Sequence, residues 1–160
     1  MANLTRSQHA DAASALMGFY QHQAETLEES GHFFMAGVAL ALALESSVLA
    51  YMLVKLEDEK GEEVPIPASV GMADLLEAAN KFDVLSAPID YPSNVAPDDN
   101  KAMPKHVAKD VVDKLWRFRN LIHPARALRQ SFDPQTFTRE QLQELKDIYE
   151  SVGHSLIHNL

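Results

Sequence analysis

Four of the six arginines lie in one short stretch of the chain, WRFRNLIHPARALR, in which Arg119, Asn120 and His123 are close together in sequence. A histidine that exchanges protons near neutral pH, beside a permanently charged guanidinium, suits phosphodiester chemistry. The arginine offsets phosphate charge, while the histidine acts as general acid or base. We therefore take His123, Arg119 and Asn120 as candidate catalytic residues, with Arg117 and Arg126 in support.

The same stretch is also typical of a helix C-terminus. Pro124 disfavours helical backbone at His123, and basic residues are common near the last carbonyl groups of a helix. On an ideal helix Arg119 and His123 lie about 40° apart, so geometry pairs His123 with Arg119 rather than with Arg117. Spacing alone favours the structural interpretation over the catalytic one, and both stay open.

Helical periodicity extends through nearly the whole sequence, and no segment has the alternation of a strand. The sequence predicts an all-α, up-and-down bundle of four main helices plus one short helix, as a single domain over residues 1–160. The first predicted helix extends from the capping pair Thr5 and Gln8 to Gly31, and the second from about His32 to Lys60. A short third helix follows Ser69 and contains Leu75, Leu76 and Phe82. The fourth helix is predicted from Pro104 to Pro124, and the last begins at the capping pair Thr138 and Gln141.

Apolar residues at helical spacing predict which side of each helix faces the core. The expected core residues include Ala12, Leu16, Phe19, Tyr20 and Leu27 in the first helix, Leu115, Phe118 and Ile122 in the fourth, and Leu142, Leu145, Ile148, Tyr149, Val152 and Leu156 in the last. The segment SAPIDYPSNVAPDDNKAMP, between the short helix and the fourth, is rich in Pro, Asp and Asn. It predicts a long loop, and such loops are often functional.

The second helix contains FFMAGVALALALESSVLAYMLV, in which Glu45 is the one charged residue. This segment is long enough to cross a bilayer. However, a carboxylate at its centre costs roughly 3 kcal/mol there, and acidic residues flank both ends, so no positive-inside signal is present. We expect a central core helix and no membrane contact. A buried Glu45 needs a partner, for which Arg119 is the preferred candidate, whereas an exposed Glu45 needs none.

The composition excludes several classes of site. There is no cysteine, hence no disulfide, thiolate nucleophile or Cys-based zinc site, and we predict no metal and no cofactor. Glu150, His154 and His158 are four residues apart, a spacing that could hold a metal ion on one helix face. We interpret them instead as exposed residues at the end of the helix. The beginning of the sequence does not have the pattern of a secretory signal, so we expect a cytoplasmic protein.

The charge is unevenly distributed. The formal net charge is −9, which argues against a general nucleic-acid binder. Residues 104–130 nevertheless contain seven Lys and Arg residues against two Asp, a local charge of +5, which leaves −14 for the rest of the chain. This basic patch predicts binding of RNA, a nucleotide or another phosphate-bearing ligand, of an acidic protein partner, or of a second subunit.

Three stretches resemble the HEPN domains of prokaryotic defence and toxin–antitoxin systems: MAGVALALALESSVLAYML, VGMADLLEAANKFDVLS and LWRFRNLIHPAR. The resemblance covers roughly residues 30–158 and implies an up-and-down helical bundle that forms homodimers. In active members two Arg/His motifs meet across the interface and cleave RNA without metal: the ribose 2′-hydroxyl attacks the adjacent phosphate, with histidine as acid/base and arginine holding the phosphate. Other members are non-catalytic binding modules.

His123 is similar to the family histidine, and Arg119-Asn120 to its arginine followed by a polar residue. The family has four to six residues between the arginine and the histidine, whereas three separate Arg119 from His123 here. Arg117 has a permitted spacing, but Phe118 follows it where the family has a polar residue. This departure favours a non-catalytic interaction module in a toxin–antitoxin or defence system. The alternative is a metal-independent endoribonuclease toxin.

Overall fold

The computed structural model describes residues 6–61, 71–81 and 115–158. Within these ranges the chain is mostly helical and contains no strand, so the predicted all-α class is confirmed. The helices are α1 (Arg6–Glu29), α2 (Phe33–Lys60), α3 (Met72–Lys81), α4 (which includes residues 115–119), α5 (Pro124–Arg129) and α6 (Arg139–His158), with 3₁₀ turns at Asn120–Ile122 and Pro134–Thr136. The predicted start of the fourth helix at Pro104, the loop before it, and Thr5, Ser69 and Phe82 lie outside the described residues.

Helices α1 and α2 form an antiparallel hairpin whose reversal is encoded at Gly31. This glycine has φ = 80°, a left-handed conformation that favours glycine. The His32 amide donates to the Leu27 carbonyl at 2.8 Å, and the Gly31 amide donates to the Glu28 carbonyl at 2.9 Å. These two bonds form a Schellman motif, which satisfies carbonyl groups that the helix leaves unpaired. The prediction that the first helix ends at Gly31 is confirmed.

Helix α2 is the central element of the described structure, with α1, α3 and α6 packed against it. Its buried residues extend from Ala36 to Glu57 and include Leu44 and Val48, which are fully enclosed. By length and composition α2 is apolar enough to cross a membrane, but 56% of its most apolar window is buried inside the fold. The helix ends at Gly61, as predicted, where the Gly61 amide donates to the Glu57 carbonyl.

Helix α6 begins at the capping box that the sequence predicts. The Thr138 amide donates to Oε1 of Gln141 at 2.9 Å, and the Gln141 amide donates to the Thr138 hydroxyl oxygen at 3.3 Å. The helix runs in the same direction as α2, because its early residues lie beside the start of α2 and its late residues beside the end. Its core side is the predicted one, with buried Leu142, Leu145, Ile148, Val152 and Leu156.

Part of the predicted core is wrong. Leu16 and Phe19 of α1 are 48% and 55% exposed, and Ala12 is exposed as well. Small residues face α2 instead, with Ala10, Ala13 and Ala24 buried. Short side chains let the two helix backbones approach closely, so the larger apolar residues of α1 remain on its outer side. Ile122 is 41% exposed, because it lies in a 3₁₀ turn rather than on a continued α-helix.

Candidate functional site

The segment between Arg119 and Pro124 is a junction between two helices, and the prediction that the fourth helix runs up to Pro124 is wrong. Arg119 still has α-helical backbone angles, a 3₁₀ turn follows, and His123 is extended, with φ = −82° and ψ = 117°. Pro124 then opens α5, and the His123 carbonyl accepts hydrogen bonds from the Arg126 and Ala127 amides. Proline disfavours helix at the preceding residue and suits the first position of a new one.

This junction separates the two residues that the sequence placed together. On a continuous α-helix the side chains of Arg119 and His123 would lie about 40° apart around the axis. Here a 3₁₀ turn, which rotates more per residue than an α-helix, and an extended His123 interrupt that arrangement. The structure accordingly has Arg119 half-buried against α2 and His123 exposed.

Arg119 pairs with Glu45, the charged residue in the apolar run of α2. Nη2 of Arg119 lies 3.9 Å from Oε2 of Glu45, and the two side chains are 30% and 24% exposed. Nε of Arg119 is buried and has no hydrogen-bond partner within the described ranges. The pairing predicted for Glu45 is confirmed. It links α4 to the centre of α2 and offsets a carboxylate that would otherwise be costly in an apolar helix.

The remaining candidate residues separate into buried and exposed positions. Asn120 is 6% exposed and belongs to the core side of the junction. Arg117, His123 and Arg126 are exposed. We call residues 117–129 the basic segment, because it contains four arginines and no acidic residue. Arg126 and Arg129 of this segment are exposed, whereas Asn120 is buried on the core side of the junction.

Four phenylalanines anchor the basic segment to the helices. Phe34 of α2 lies 5.4 Å from Phe118 and 5.3 Å from Phe132, measured between ring centroids. Phe137, just before α6, lies 4.9 Å from Phe118. Edge-to-face and tilted contacts at these distances stabilise beyond the area they bury. The cluster fixes the chain on both sides of α5, at residue 118 before it and at residues 132 and 137 after it.

Gly37 lets this cluster approach α2. A Cβ atom at Gly37 would lie 2.6 Å from Cε1 of Phe118 and 2.9 Å from Cδ1 of Leu145. Side chains from α4 and α6 therefore occupy the space that any other residue would need. The glycine sets the distance between α2 and the start of the basic segment.

Helix α5 stands clear of the core. It has no buried residue, Arg126 and Arg129 lie in its last turn, and Leu128 is 80% exposed. It ends in a second Schellman motif, in which the Phe132 amide donates to the Ala127 carbonyl at 2.9 Å. The left-handed position of this motif is held by Ser131, with φ = 52°, where glycine is usual.

Helix α5 was not predicted, because Pro124 was interpreted as the end of a helix. Proline at a first helical position, followed by basic residues in the last turn, is a recognised helix signal, and PARALR carries both. The 3₁₀ turn after it also has a local signal. Asp133 precedes Pro134, and its Oδ1 accepts a hydrogen bond from the Gln135 amide at 2.9 Å.

Among the described residues, no group of three or more His, Asp or Glu side chains is arranged to hold a metal ion. The side chains of His154 and His158, which the sequence pairs with Glu150, lie outside the described set. Comparisons of the chain with protein-family models, with curated proteins and with solved structures found no match.

Proposed function

We propose that this protein is a non-catalytic binding module with a HEPN-like, up-and-down helical bundle, and that its basic segment is the binding surface. The supporting observation is the ion pair between Arg119 and Glu45. An arginine that stabilises a phosphate in a reaction must direct its guanidinium at that phosphate. Here the guanidinium already faces a carboxylate and connects two helices.

The choice of ligand follows from the exposed side chains. Arg117, His123, Arg126 and Arg129 are exposed, and residues 115–130 contain no acid. Arginine binds phosphate oxygens in a bidentate manner, and the local positive charge attracts anions to an otherwise acidic chain. The proposed ligand is RNA or a nucleotide. The proposal extends to a cytoplasmic homodimer with a protein partner in a toxin–antitoxin or defence system.

A second candidate function is metal-independent RNA cleavage. The observation that favours it is the exposure of His123, which is accessible to a ligand that the neighbouring arginines attract. In such a reaction the 2′-hydroxyl attacks the adjacent phosphate as the histidine removes its proton. The leaving 5′-oxygen receives a proton, and a 2′,3′-cyclic phosphate remains. Arg119 is held by Glu45, so Arg126 would have to stabilise the phosphate.

Binding is tested by the fluorescence anisotropy of a labelled single-stranded RNA in EDTA. We expect the wild type to bind, and Arg126→Gln with Arg129→Gln to weaken binding by about tenfold at low salt. The slope of log affinity against log salt concentration should fall by about 1.4, because each lost phosphate contact contributes about 0.7 for single strands.

The matched control removes the same charge at the far end of α2, with Lys55→Gln and Lys60→Gln. It should leave both affinity and salt slope near those of the wild type. Equal weakening by the two double variants would indicate non-specific attraction, and it would contradict the assignment of the basic segment as the binding surface.

A further inference from the structure

Helices α1 and α6 both pack on α2 and leave a cleft between them. The cleft has a volume of about 430 Å³, within the range of small-molecule sites. Apolar side chains form much of its wall, including Met17, Ala50, Val54 and Leu156. None of these residues belongs to the basic segment, so the cleft is a separate feature of the molecule.

The polar residues of the cleft are two serines, Ser14 and Ser47, together with two tyrosines and one glutamate. Tyr51, Tyr149 and Glu150 all line it. Tyr51 is buried, and Tyr149 donates a hydrogen bond to Oε1 of Gln21 at 3.5 Å. Burial raises the pKa of both tyrosines, and the tyrosine hydroxyl is neutral at physiological pH even without that shift. Neutral aromatic rings attract cations, and Glu150 provides a full negative charge at the same site.

A neighbouring cavity of about 230 Å³ extends this negative character. It shares Tyr149 and Glu150 with the cleft and is also lined by Glu25 and Glu28. The lysine in its lining, Lys146, is already paired with Glu28 at 2.9 Å. Because Lys146 offsets Glu28, the remaining acidic residues in the two linings are Glu25 and Glu150, and their charge favours cations over anions.

We propose that the cleft between α1, α2 and α6 binds a small organic cation, an amine attached to an aromatic or aliphatic body. The apolar walls take the body of the ligand. The ammonium group lies beside Glu150 and the two tyrosine rings. This site goes beyond the proposed binding of an anion, since it has the opposite charge preference and lies on different elements.

A pair of isosteric probes tests the charge preference: 4-phenylbutylamine and 4-phenylbutyrate have the same apolar body and opposite charge. Their affinities are compared on the full chain by two-dimensional NMR titration at neutral pH. We expect the amine to bind about tenfold more tightly than the carboxylate, from an exposed ion pair together with contacts to the aromatic rings. Shifts should be centred on Ala50, Gly153 and their neighbours.

Two variants locate the ligand. Gly153→Leu fills the cleft, since nothing lies within 4 Å of a Cβ atom at Gly153, and it should weaken binding of both probes by about tenfold or more. Glu150→Gln should remove the preference for the amine while the apolar contribution remains. The matched control Glu144→Gln removes an exposed charge from α6 outside the cleft and should change neither affinity.

The proposal is overturned if the amine does not bind at millimolar concentration, if both probes bind equally to the wild type, or if Gly153→Leu binds the amine as the wild type does. Circular dichroism establishes that each variant is folded. If Gly153→Leu fails to fold, Ala50→Leu fills the same cleft from α2, with the same expected result.

Discussion

Arg119 has two uses that compete: it can balance Glu45 or it can hold a phosphate. The structure has it 3.9 Å from the Glu45 carboxylate, with both side chains less than one-third exposed. Removal of one partner leaves the other charge in a half-buried position without its counter-ion, which costs more than the pair itself contributes. The structure therefore shows Arg119 in its role as the counter-ion of Glu45.

A double-mutant cycle measures this pair. Arg119→Ala and Glu45→Ala should each lower the free energy of unfolding by about 1–2 kcal/mol, and the double variant should lose about 1 kcal/mol less than the sum. Urea unfolding of the four proteins provides the values. Strictly additive losses would show that the two side chains do not interact in solution. Glu144→Gln, at an exposed position of α6, is the control and should have little effect.

Tyr51 and Tyr149 predict a loss of stability at alkaline pH. Burial raises the pKa of both hydroxyl groups in the folded protein. Their contribution to stability is therefore fully present below the unfolded-state pKa of about 10, and it is lost as the pH rises through the folded-state pKa. Urea unfolding between about pH 8 and 11 should show this decline. In the double variant Tyr51→Phe with Tyr149→Phe the decline of stability with pH should be smaller. An unchanged decline would show that these two tyrosines do not cause it.

At the scale of elements, Phe118 of α4 and Leu145 of α6 can approach α2 closely because residue 37 is a glycine. Gly37→Ala adds a methyl group that meets Phe118 and Leu145 below 3 Å, so overpacking should cost about 1–3 kcal/mol despite the better helix propensity of alanine. Gly153→Ala meets nothing within 4 Å and should stabilise by up to about 1 kcal/mol. Thermal unfolding of the two variants checks the opposite signs. Stabilisation by Gly37→Ala would contradict the described contact between α2 and α4.

The end of α5 offers a second test at this scale. Ser131 occupies a left-handed position, with φ = 52°, that is strained for residues with a Cβ atom. Ser131→Gly should raise the free energy of unfolding by about 0.5–1 kcal/mol. Ser131→Val should lower it, because a branched side chain tolerates this conformation least. The melting temperatures of the two variants should lie on opposite sides of the wild type. Equal effects would show that the Schellman motif after α5 is not formed.

The elements that the sequence predicted correctly are those whose ends have a local chemical signal. Gly31, Gly61 and the Thr138–Gln141 capping box determine their helix ends through bonds within a few residues. The junction at His123 was not predicted, because Pro124 is compatible both with the end of one helix and with the start of the next. The chain on both sides of α5 packs on Phe34, which lies more than eighty residues earlier in the sequence, so this contact has no local signal.

At the scale of the whole molecule, the described helices form two separate surfaces. The basic segment lies at the junction of α4 and α5, and the largely apolar cleft, with Glu150 in its lining, lies between α1 and α6. The sequence predicted a basic patch over residues 104–130 from its local charge of +5, and the basic segment is part of that patch. It could not predict the cleft, because Met17, Ala50 and Gly153 come from three helices and show no common pattern along the chain. Only their packing on α2 brings them together.

The central claim is that the basic segment binds RNA without cleaving it. An RNA cleavage assay in EDTA tests this claim most directly. Purified wild type is incubated with single-stranded RNA beside His123→Ala and Arg119→Ala, and the dimer state is checked by light scattering. We predict that RNA stays intact even with protein in excess over RNA. Products with 2′,3′-cyclic phosphate ends, formed by the wild type and lost in His123→Ala, would contradict the claim and establish a ribonuclease, whatever the result for Arg119→Ala.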